Sequence, residues 1–439
     1  MRLQAQLDEA QRTAKRQAAP FSKRKPKENP KSTARPKGAA YGKHGQRPEP
    51  PADQLDEALD APLPEHCPHC GGDVAQDDEV DLQFQEDIPL KPIRRVIIIH
   101  KGTCRGCGRR VHGRHPQQTS DAVGAAASQI GPNAQAAIVY LNKKSGMSYG
   151  KIIDHFRQTY GISLTRSACA QIVLRAGRRL KPAHEEIKQH IRQAKHLTPD
   201  ETGWRLGGQL VWLHGWVADD GATCFAIDPR RSAKVLQEII GIGWSGSMTH
   251  DGFSSYNKRF VDAVHQQCVG HVLQRAHTMA ESATGRAKDF PRQVIDLFQD
   301  ALNVRDQFQA GHLSRQELLG AHEDYNQRLA ELSRRPRTNE ANALLAQHLY
   351  QHTGEWFMFL VDPSIPATNH LGEQALRGPI VNRKVWGGNR TPAGKEAQEV
   401  HSTVIATCTK LGQSAVNFIR QAICGFVGSL FVTSVPSRD

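Results

Sequence analysis

The spacing of apolar residues predicts two consecutive helices within residues 122–195. The first helix carries apolar residues three and four positions apart, as on one face of an amphipathic helix: Tyr149, Ile152, Ile153 and Phe156. Gly161 interrupts this pattern, and glycine commonly marks the end of a helix. The second helix carries Leu164, Ala168 and Ile172, and either Ser163 or Thr165 is its N-cap.

This helix pair is typical of two different functions. Two short helices joined by a glycine-containing turn resemble a helix-turn-helix. In that case the second helix would contact DNA through Arg166, Arg175, Arg178 and Arg179. A plain helical connector with a solvated basic face produces the same pattern, so both interpretations stay open at this point.

After residue 196 the periodicity changes to that of strands. Residues 209–217 alternate between apolar and polar side chains. Gly207 and Gly208 supply the two-residue turn of a β-hairpin, which places Asp200 in the strand before the turn. Three further elements follow in the order strand, helix and strand: residues 223–227, 233–240 and 246–249.

This order predicts a mixed α/β sheet that resembles the core of a ribonuclease-H-like domain, which we assign to residues 196–425. Asp200 lies in the first strand and Asp251 comes directly after the fourth, so the two carboxylates could meet on adjacent strands. A mainly helical insertion is predicted at about 272–359, as a packing element or as a platform for DNA or a second subunit. Its clearest helical pattern is formed by Val294, Leu297, Phe298 and Leu302.

The length of the chain indicates several parts. Its 439 residues exceed the ~250–300 residues at which single cores stop growing, so we expect a multidomain α/β protein. No apolar run approaches the ~20 residues that span a bilayer. The N-terminus lacks the apolar segment of a signal peptide, so we expect a cytoplasmic, nucleoid-associated protein. Residues 426–439 are predicted to be a C-terminal tail.

Positive charge is concentrated at the N-terminus. Residues 1–50 contain 13 Lys and Arg against 4 Asp and Glu, which accounts for +9 of the formal charge of +13. Residues 1–60 are rich in Pro and Gly and poor in apolar side chains, so we expect a disordered arm or linker. Such an arm binds nucleic-acid phosphates without reading sequence, although a solubilising tail has the same composition. The candidate DNA-binding residues in it are Lys23, Arg24, Lys25 and Lys27.

Two Cys-x-x-Cys pairs predict a zinc ribbon in residues 61–115. Four thiolates complete the closed tetrahedral shell of a structural Zn²⁺, and the β-branched run at 93–99 is predicted to be the strand that leads into the second pair. His66 and His69 adjoin the first pair, but we interpret both as bystanders because four thiolates are sufficient. The predicted ligands are Cys67, Cys70, Cys104 and Cys107.

Three short segments carry a family resemblance. They are 199–205 (Pro-Asp-Glu-Thr-Gly-Trp-Arg), 251–257 (Asp-Gly-Phe-Ser-Ser-Tyr-Asn) and 369–377 (Asn-His-Leu-Gly-Glu-Gln-Ala-Leu-Arg). All three resemble segments of bacterial transposases of the insertion sequence 66 family. That family also has a Gly/Lys/Pro-rich linker, a cysteine ribbon and a helical segment before its core, so the resemblance extends over almost the whole chain. The departures are His370 for asparagine, Gln374 for arginine, and a shorter segment before the linker.

The resemblance implies a DDE transposase. Asp200, Asp251 and Glu373 would form its catalytic triad and bind Mg²⁺ or Mn²⁺, hard cations that suit carboxylate oxygens. The implied reaction is cleavage of DNA at the ends of an insertion sequence, followed by strand transfer into target DNA. The implied partners are double-stranded DNA and further copies of this chain, as a homodimer or higher oligomer. A metal-dependent nuclease without strand transfer and a catalytically silent DNA-binding relic are the alternatives.

Two further groups of residues in the predicted catalytic domain each have two alternative roles. Cys268 and His271 match a Cys-x-x-His motif of the family. They would form an accessory metal site, or they are a buried thiol and a helix-forming histidine that shape the core. Glu201 is excluded from the triad because neighbouring side chains of a strand point to opposite faces. Basic residues after Glu373 would bind the DNA backbone, or form a solvated face: Arg377, Arg383, Lys384 and Arg390.

Overall fold

The computed structural model describes part of the chain and divides it into two compact units, Met1–Pro92 and Ile93–Asp439. The predicted DNA-binding cations Lys23, Arg24, Lys25 and Lys27 lie outside the described residues. The structure describes residues 49–75, 82–86, 88–123, 129–426 and 428–431.

The second unit starts with a small hairpin. Strands β1 (Lys101–Thr103) and β2 (Arg110–His112) pair antiparallel, with Thr103 opposite Arg110. The prediction of a strand at 93–99 was wrong, because that run has no strand opposite it and its side chains stay exposed, Ile98 by 76%. The turn between Thr103 and Arg110 sets the register, so pairing reaches back only as far as His100, whose carbonyl accepts the Gly113 N–H at 2.9 Å.

The predicted helix pair is confirmed. Ser148 caps the first helix by accepting a hydrogen bond from the Lys151 N–H, and Gly161 ends it at φ +63°. Thr165, rather than Ser163, caps the second, with its hydroxyl 3.1 Å from the Ala168 nitrogen. The segment contains four helices: α1 (Pro132–Lys143), α2 (Tyr149–Tyr160), α3 (Arg166–Arg179) and α4 (Lys181–Gln193).

These four helices share one hydrophobic core with the sheet that follows. Ile152 and Phe156 on α2, and Ile172 on α3, are buried in the same cluster as Leu197 and Trp216 of the sheet. Burial of such side chains is the main stabilising contribution to folding. In this structure the helix pair is therefore part of the core that carries the sheet.

The main sheet has five strands in the order β5-β4-β3-β6-β7. β3, β4 and β5 are antiparallel neighbours, whereas β6 is parallel to β3 and β7 is parallel to β6. The predicted first four strands are confirmed, and β7 is an addition that the sequence pattern did not predict. The strands are β3 (His196–Leu206), β4 (Gln209–Ala218), β5 (Thr223–Asp228), β6 (Ser247–His250) and β7 (Val264–Gln267).

The hairpin turn between β3 and β4 is the predicted pair of glycines. Gly207 and Gly208 have φ values of +58° and +86°, a conformation that glycine adopts without steric cost. The turn fixes the register of the two strands, which places Asp200 directly opposite Gly215. Two short helices lie beside the sheet: α5 (Lys234–Ile240) and α6 (Ser254–Arg259).

The predicted helical insertion is confirmed and has a hydrophobic core of its own. Val294, Leu297 and Phe298 are buried in it, in agreement with their helical spacing, while Leu302 packs against it half-buried. Trp356 completes the core from the end of the insertion. The helices are α7 (Val269–Ser282), α8 (Asp289–Gln309), α9 (Arg315–Arg334), α10 (Glu340–Gln351) and α11 (Met358–Val361).

The last three helices are α12 (His370–Trp386), α13 (Pro392–Lys410) and α14 (Ala415–Ile423). Part of the predicted tail packs on the fold, since Leu430 is buried and its carbonyl accepts from the Gln413 side chain at 2.8 Å. Among the described residues, no helix is both long and apolar enough to cross a membrane.

Helix α13 covers the free edge of the sheet. Strand β5 is an edge strand, and three of its backbone N–H groups donate to side chains of α13. The acceptors, Glu399, Thr403 and Thr407, are four residues apart and lie on one helix face. An edge covered in this way is not available for pairing with another chain. The donor residues are Thr223, Phe225 and Ile227.

We predict that Thr407→Val lowers the free energy of unfolding. The Thr407 hydroxyl accepts from the Thr223 N–H and donates to the Thr223 carbonyl, both at 3.1 Å. Valine has a similar shape but leaves both buried backbone groups unpaired, at a cost of about 1–3 kcal/mol for each. Urea unfolding measures the loss, and Thr407→Ser is the control because it keeps the hydroxyl. Equal stability of the valine and serine variants would contradict this account of the edge.

We also predict that His401 makes the free energy of unfolding decrease as the pH falls. His401 is fully buried and Nε2 donates to the Val173 carbonyl at 2.8 Å; burial lowers its pKa to about 3. In the unfolded chain a histidine has a pKa of about 6.5, so between pH 6.5 and pH 3 the unfolded state binds more protons and stability decreases as the pH falls. The loss due to this group is about 2 kcal/mol at pH 5.

Unfolding measured at pH 7.5 and pH 5 tests this dependence. His401→Gln keeps a donor for the Val173 carbonyl and removes the titrating group, so we expect a shallower decrease. The control is His312→Gln at an exposed position. An identical decrease in wild type and His401→Gln would show that His401 does not contribute to it.

Candidate active site

Asp200 lies in the middle of the sheet, on strand β3, and is half-buried. One carboxylate oxygen accepts from the Glu201 N–H at 2.8 Å. Burial raises the pKa of Asp200 to about 7, and the nearby carboxylates of Asp251, Glu201 and Glu373 raise it as well, whereas the Glu201 N–H lowers it. The structure thus brings all three predicted acids into electrostatic contact around Asp200.

The parallel register of β3 and β6 accounts for the position of Asp251. His196 is opposite Ser247 and Leu197 is opposite Met248, so continuing that register by three residues sets Asp251 against Asp200. Asp251 is exposed, and one of its oxygens accepts from the Phe253 N–H at 3.1 Å. The carboxylate therefore lies at the end of β6, in the turn that leads to α6.

Two hydrogen-bonded histidines stabilise the turn that contains Asp251. The Gly252 N–H donates to His250 Nδ1 at 3.2 Å, so the proton of this imidazole is on Nε2, which donates to His265 Nδ1 at 3.0 Å. His265 Nε2 in turn donates to the Phe260 carbonyl at 2.8 Å. Both rings are buried, and burial lowers the pKa of His250 to about 3. The histidines fix the backbone on which Asp251 is carried.

Glu373 reaches the sheet because Gly372, its neighbour, has no side chain. A Cβ added at Gly372 would lie 3.1 Å from the Asp200 Cβ and 3.2 Å from the Thr198 carbonyl oxygen. One turn later, Leu376 packs on Gly215, where an added Cβ would lie 3.2 Å from the leucine. Helix α12 therefore lies directly on β3 and β4, and Glu373 is in its first turn.

Cys268 and His271 lie beside Glu373. The buried Cys268 thiol accepts from the Asn369 N–H at 3.3 Å, and His271 Nε2 is 3.4 Å from a Glu373 oxygen. The pKa of His271 is raised to about 9, first by its hydrogen bond to Cys268 and further by Glu373 and Asp251. The two residues thus connect the end of β7 to the third acid.

Glu201 is also part of this region, although it was excluded from the triad. Its side chain is 2% exposed and accepts from Arg231 Nε and from the Tyr256 hydroxyl, both at 3.1 Å. Arg231 itself lies over the rings of Trp212 and Phe253. Glu201 therefore ties β3 to helix α6, directly after Asp251. The feature of the sequence that could have indicated this contact is Tyr256, which belongs to the 251–257 segment.

The comparison with protein families agrees with these segments. A model of the family described as "Transposase IS66 family" matches residues 127–397, which is more than half of the chain. The chain belongs to the IS66 family of transposases. A comparison with curated proteins found no match. Membership makes the protein a DNA-processing enzyme whose family binds DNA, and the matched residues include Asp200, Asp251 and Glu373.

The predicted DNA-binding residues of this transposase differ in their surroundings. Arg383 is not free, because it donates to the Gly203 carbonyl and, at 3.4 Å, to the Thr202 hydroxyl. Trp386, which lies among these cations in sequence, packs edge-on against Trp204 at 6.2 Å between ring centroids. Six predicted cations are exposed: Arg166, Arg175, Arg178, Arg377, Lys384 and Arg390.

The two cysteine pairs each form a tight turn. In the first unit, the Gly71 N–H donates to the Cys67 carbonyl at 2.8 Å, and the N–H groups of His69 and Cys70 lower the pKa of the Cys67 thiol. In the second unit, the pKa of the Cys104 thiol is lowered in the same way by the N–H groups of Cys107 and Gly106. Both turns favour the thiolate form, which is the form that binds metals.

Within the described residues, no three or more His, Cys, Asp or Glu side chains are grouped closely enough to hold an ion.

The isolated cysteines lie in the fold: Cys169, Cys224 and Cys408 are buried, and Cys424 is half-buried.

We predict opposite effects of alanine at two helical glycines. At Gly372, in α12, an added methyl group would press on Asp200 and on two backbone carbonyls that cannot move aside, which costs about 1–3 kcal/mol. Gly320 lies in α9 with nothing within 4 Å of an added Cβ, so alanine should stabilise that helix by up to about 1 kcal/mol. Urea unfolding compares the two variants. A Gly372→Ala protein as stable as Gly320→Ala would contradict the close packing of α12 on β3.

Proposed function

We propose that this chain is a DDE transposase in which Asp200, Asp251 and Glu373 are the catalytic carboxylates. The observation that carries the proposal is the convergence of these acids from β3, the end of β6 and the first turn of α12. Each acid also lies in a segment that resembles the family, and a pKa of about 7 for Asp200 is typical of carboxylates gathered at a functional site.

The strand order supports the same proposal. Three antiparallel strands followed by two parallel ones, in the order β5-β4-β3-β6-β7, is the arrangement expected of a ribonuclease-H-like sheet. In such a sheet the first strand lies in the centre and carries the first acid. The helical insertion between β7 and α12 separates the second acid from the third in sequence but leaves them together in space.

The carboxylates suit Mg²⁺ or Mn²⁺. These cations prefer hard oxygen ligands. The acids around Asp200 repel one another, and a bound cation would neutralise their negative charge. When bound, such ions activate the attacking oxygen and stabilise the leaving oxygen of a phosphodiester. The chain's own contribution is to hold the ligands: Gly372 sets the distance of α12 from Asp200, and His271 restrains the Glu373 carboxylate.

The cysteine turns support a structural role for zinc. Taken by itself, each turn presents two thiols, and in each turn the pKa of the first thiol is lowered toward the thiolate form that binds Zn²⁺. We propose that Cys67, Cys70, Cys104 and Cys107 bind Zn²⁺ and that this metal contributes to folding, not to the chemistry at the acids.

DNA binding would use the exposed cations. Arg377, Lys384 and Arg390 follow Glu373 closely in sequence, and Arg166 lies at the start of α3, where a helix-turn-helix would contact its site. With the N-terminal arm, these side chains would neutralise phosphates and make affinity depend on salt. Joining two DNA ends to a target requires more than one active site, so we propose a homodimer or higher oligomer on DNA.

We predict that Glu373→Gln abolishes metal-dependent cleavage and joining but preserves DNA binding. Glutamine keeps the shape of the side chain and removes a ligand charge. The measurement uses labelled DNA that carries the element's own ends, a plasmid target, and Mg²⁺ or Mn²⁺. Glu331→Gln, an exposed position on α9, is the control and should retain the activity of the wild type.

The products distinguish the alternatives. Cleavage and joining that Glu373→Gln loses would establish the transposase. Cleavage without joining by the wild type indicates a nuclease, and binding with neither reaction indicates a silent relic. Full activity of Glu373→Gln would mean that another residue is the third acid.

A further inference from the structure

A concave pocket lies beside helix α12, at the edge of the sheet formed by β5. It is bounded by α1, α12, α13 and edge strand β5, and has a volume of about 420 Å³. This is within the range of about 300–1,000 Å³ that holds small ligands, and too small for a DNA duplex. Apolar side chains such as Phe225 and Ile405 form part of its wall.

The pocket is cationic and its lining contains no acid. Lys143, Lys144, Arg377 and Lys410 all line it, and within the described residues none of the four forms an ion pair with a carboxylate. Surface cations in a fold commonly face carboxylates, so an uncompensated cluster at a concave site favours an anionic ligand. The chemistry that fits is a phosphate group.

Lys143 is the buried cation of this site. It is only 7% exposed, donates to the Gln398 side-chain oxygen at 2.7 Å, and lies 4.8 Å from the centre of the Trp386 ring. An ammonium has three donors, so at least one is left for a ligand. Burial without a carboxylate lowers the pKa of Lys143 to about 7, and a bound phosphate would stabilise its charged form.

The pocket is one helical turn from the proposed catalytic site. Arg377 lines it and follows Glu373 by four residues, which is a rise of about 6 Å along α12. A DNA strand whose phosphodiester lies at the acids would therefore have neighbouring nucleotides within reach. A single nucleotide can enter a pocket of this size only when it is unpaired and out of the base stack.

We propose that this pocket binds one unpaired nucleotide of the DNA strand held at the acids, with its base against Phe225 and Ile405. Its phosphate would face the four cations of the lining, Lys143, Lys144, Arg377 and Lys410. The assignment rests on the proposed function, because that function supplies the strand. It adds a contact by which the protein would distinguish a distorted or frayed DNA end from an intact duplex.

Fluorescence anisotropy on the full chain tests the proposal, in EDTA so that no cleavage occurs. One labelled duplex is fully paired and the other carries a single unpaired nucleotide. We expect wild type to bind the second about tenfold more tightly, which corresponds to one stacked base. Equal affinity of the wild type for the two duplexes would overturn the proposal.

Two pocket variants separate charge from occupancy. Lys144→Ala/Lys410→Ala removes two exposed cations, whereas Thr409→Trp fills the pocket from an exposed position without changing charge. We expect both to lose the tenfold preference, and Thr409→Trp to keep its affinity for the paired duplex. The matched control is Lys234→Ala/Lys258→Ala, which removes two exposed cations elsewhere. Thermal melting verifies that each variant is folded.

If Thr409→Trp still binds the duplex with the unpaired nucleotide more tightly, the nucleotide binds elsewhere. A free nucleotide is the other source of this chemistry, so binding of dAMP is measured directly. Weak, millimolar binding agrees with a strand-borne ligand, whereas micromolar binding that Thr409→Trp abolishes would overturn the assignment to DNA. Failure of the proposed function is distinguishable, because it appears as missing metal-dependent cleavage and leaves the preference in EDTA unaffected.

Discussion

The close contact between Gly372 and strand β3 is the constraint on which the candidate site depends. An added Cβ would meet Asp200 and the carbonyls of residues 198 and 199 at 3.1–3.3 Å, so only glycine lets α12 lie this near the sheet. Leu376 repeats the arrangement over Gly215, the residue opposite Asp200. Because the helix is held at both points, the position of Glu373 is determined by backbone packing and not by the conformation of a long side chain.

A second constraint is the register of parallel strands. β3 and β6 bring positions 200 and 251 to the same level of the sheet, and parallel pairing is possible only because a helix returns the chain to the same end. The other edge depends on α13, whose Glu399, Thr403 and Thr407 accept the N–H groups of β5. The antiparallel strands β3, β4 and β5 are therefore held on three sides: α12 packs on their face, β6 pairs with β3, and α13 covers the edge at β5.

Local signals made the hairpin, the first four strands of the sheet and the helix pair predictable from sequence. Gly207 and Gly208, or Gly161 and Thr165, act within a few residues of themselves. Strand β7 was missed because Val264–Gln267 is short and three of its four residues are polar although they are buried, so it has no hydrophobic pattern to detect. The run at 93–99 failed for the opposite reason, since β-branched residues favour a strand only where a partner lies opposite them. The contacts of Cys268 with Asn369 and of His271 with Glu373 join residues about a hundred positions apart, and no periodicity carries that information.

Basic residues show the same limit, because composition does not tell which cations the fold itself uses. Arg383 and Arg179 donate to backbone carbonyls on distant elements, so replacing either would leave buried acceptors unpaired. Arg377, Lys384 and Arg390 stay exposed on or just after the helix that carries Glu373. Helix α12 thus separates its functions by face: Gly372 and Leu376 pack on the sheet, Arg383 locks the helix to β3, and the remaining cations lie beside the third acid, where a phosphate backbone would pass.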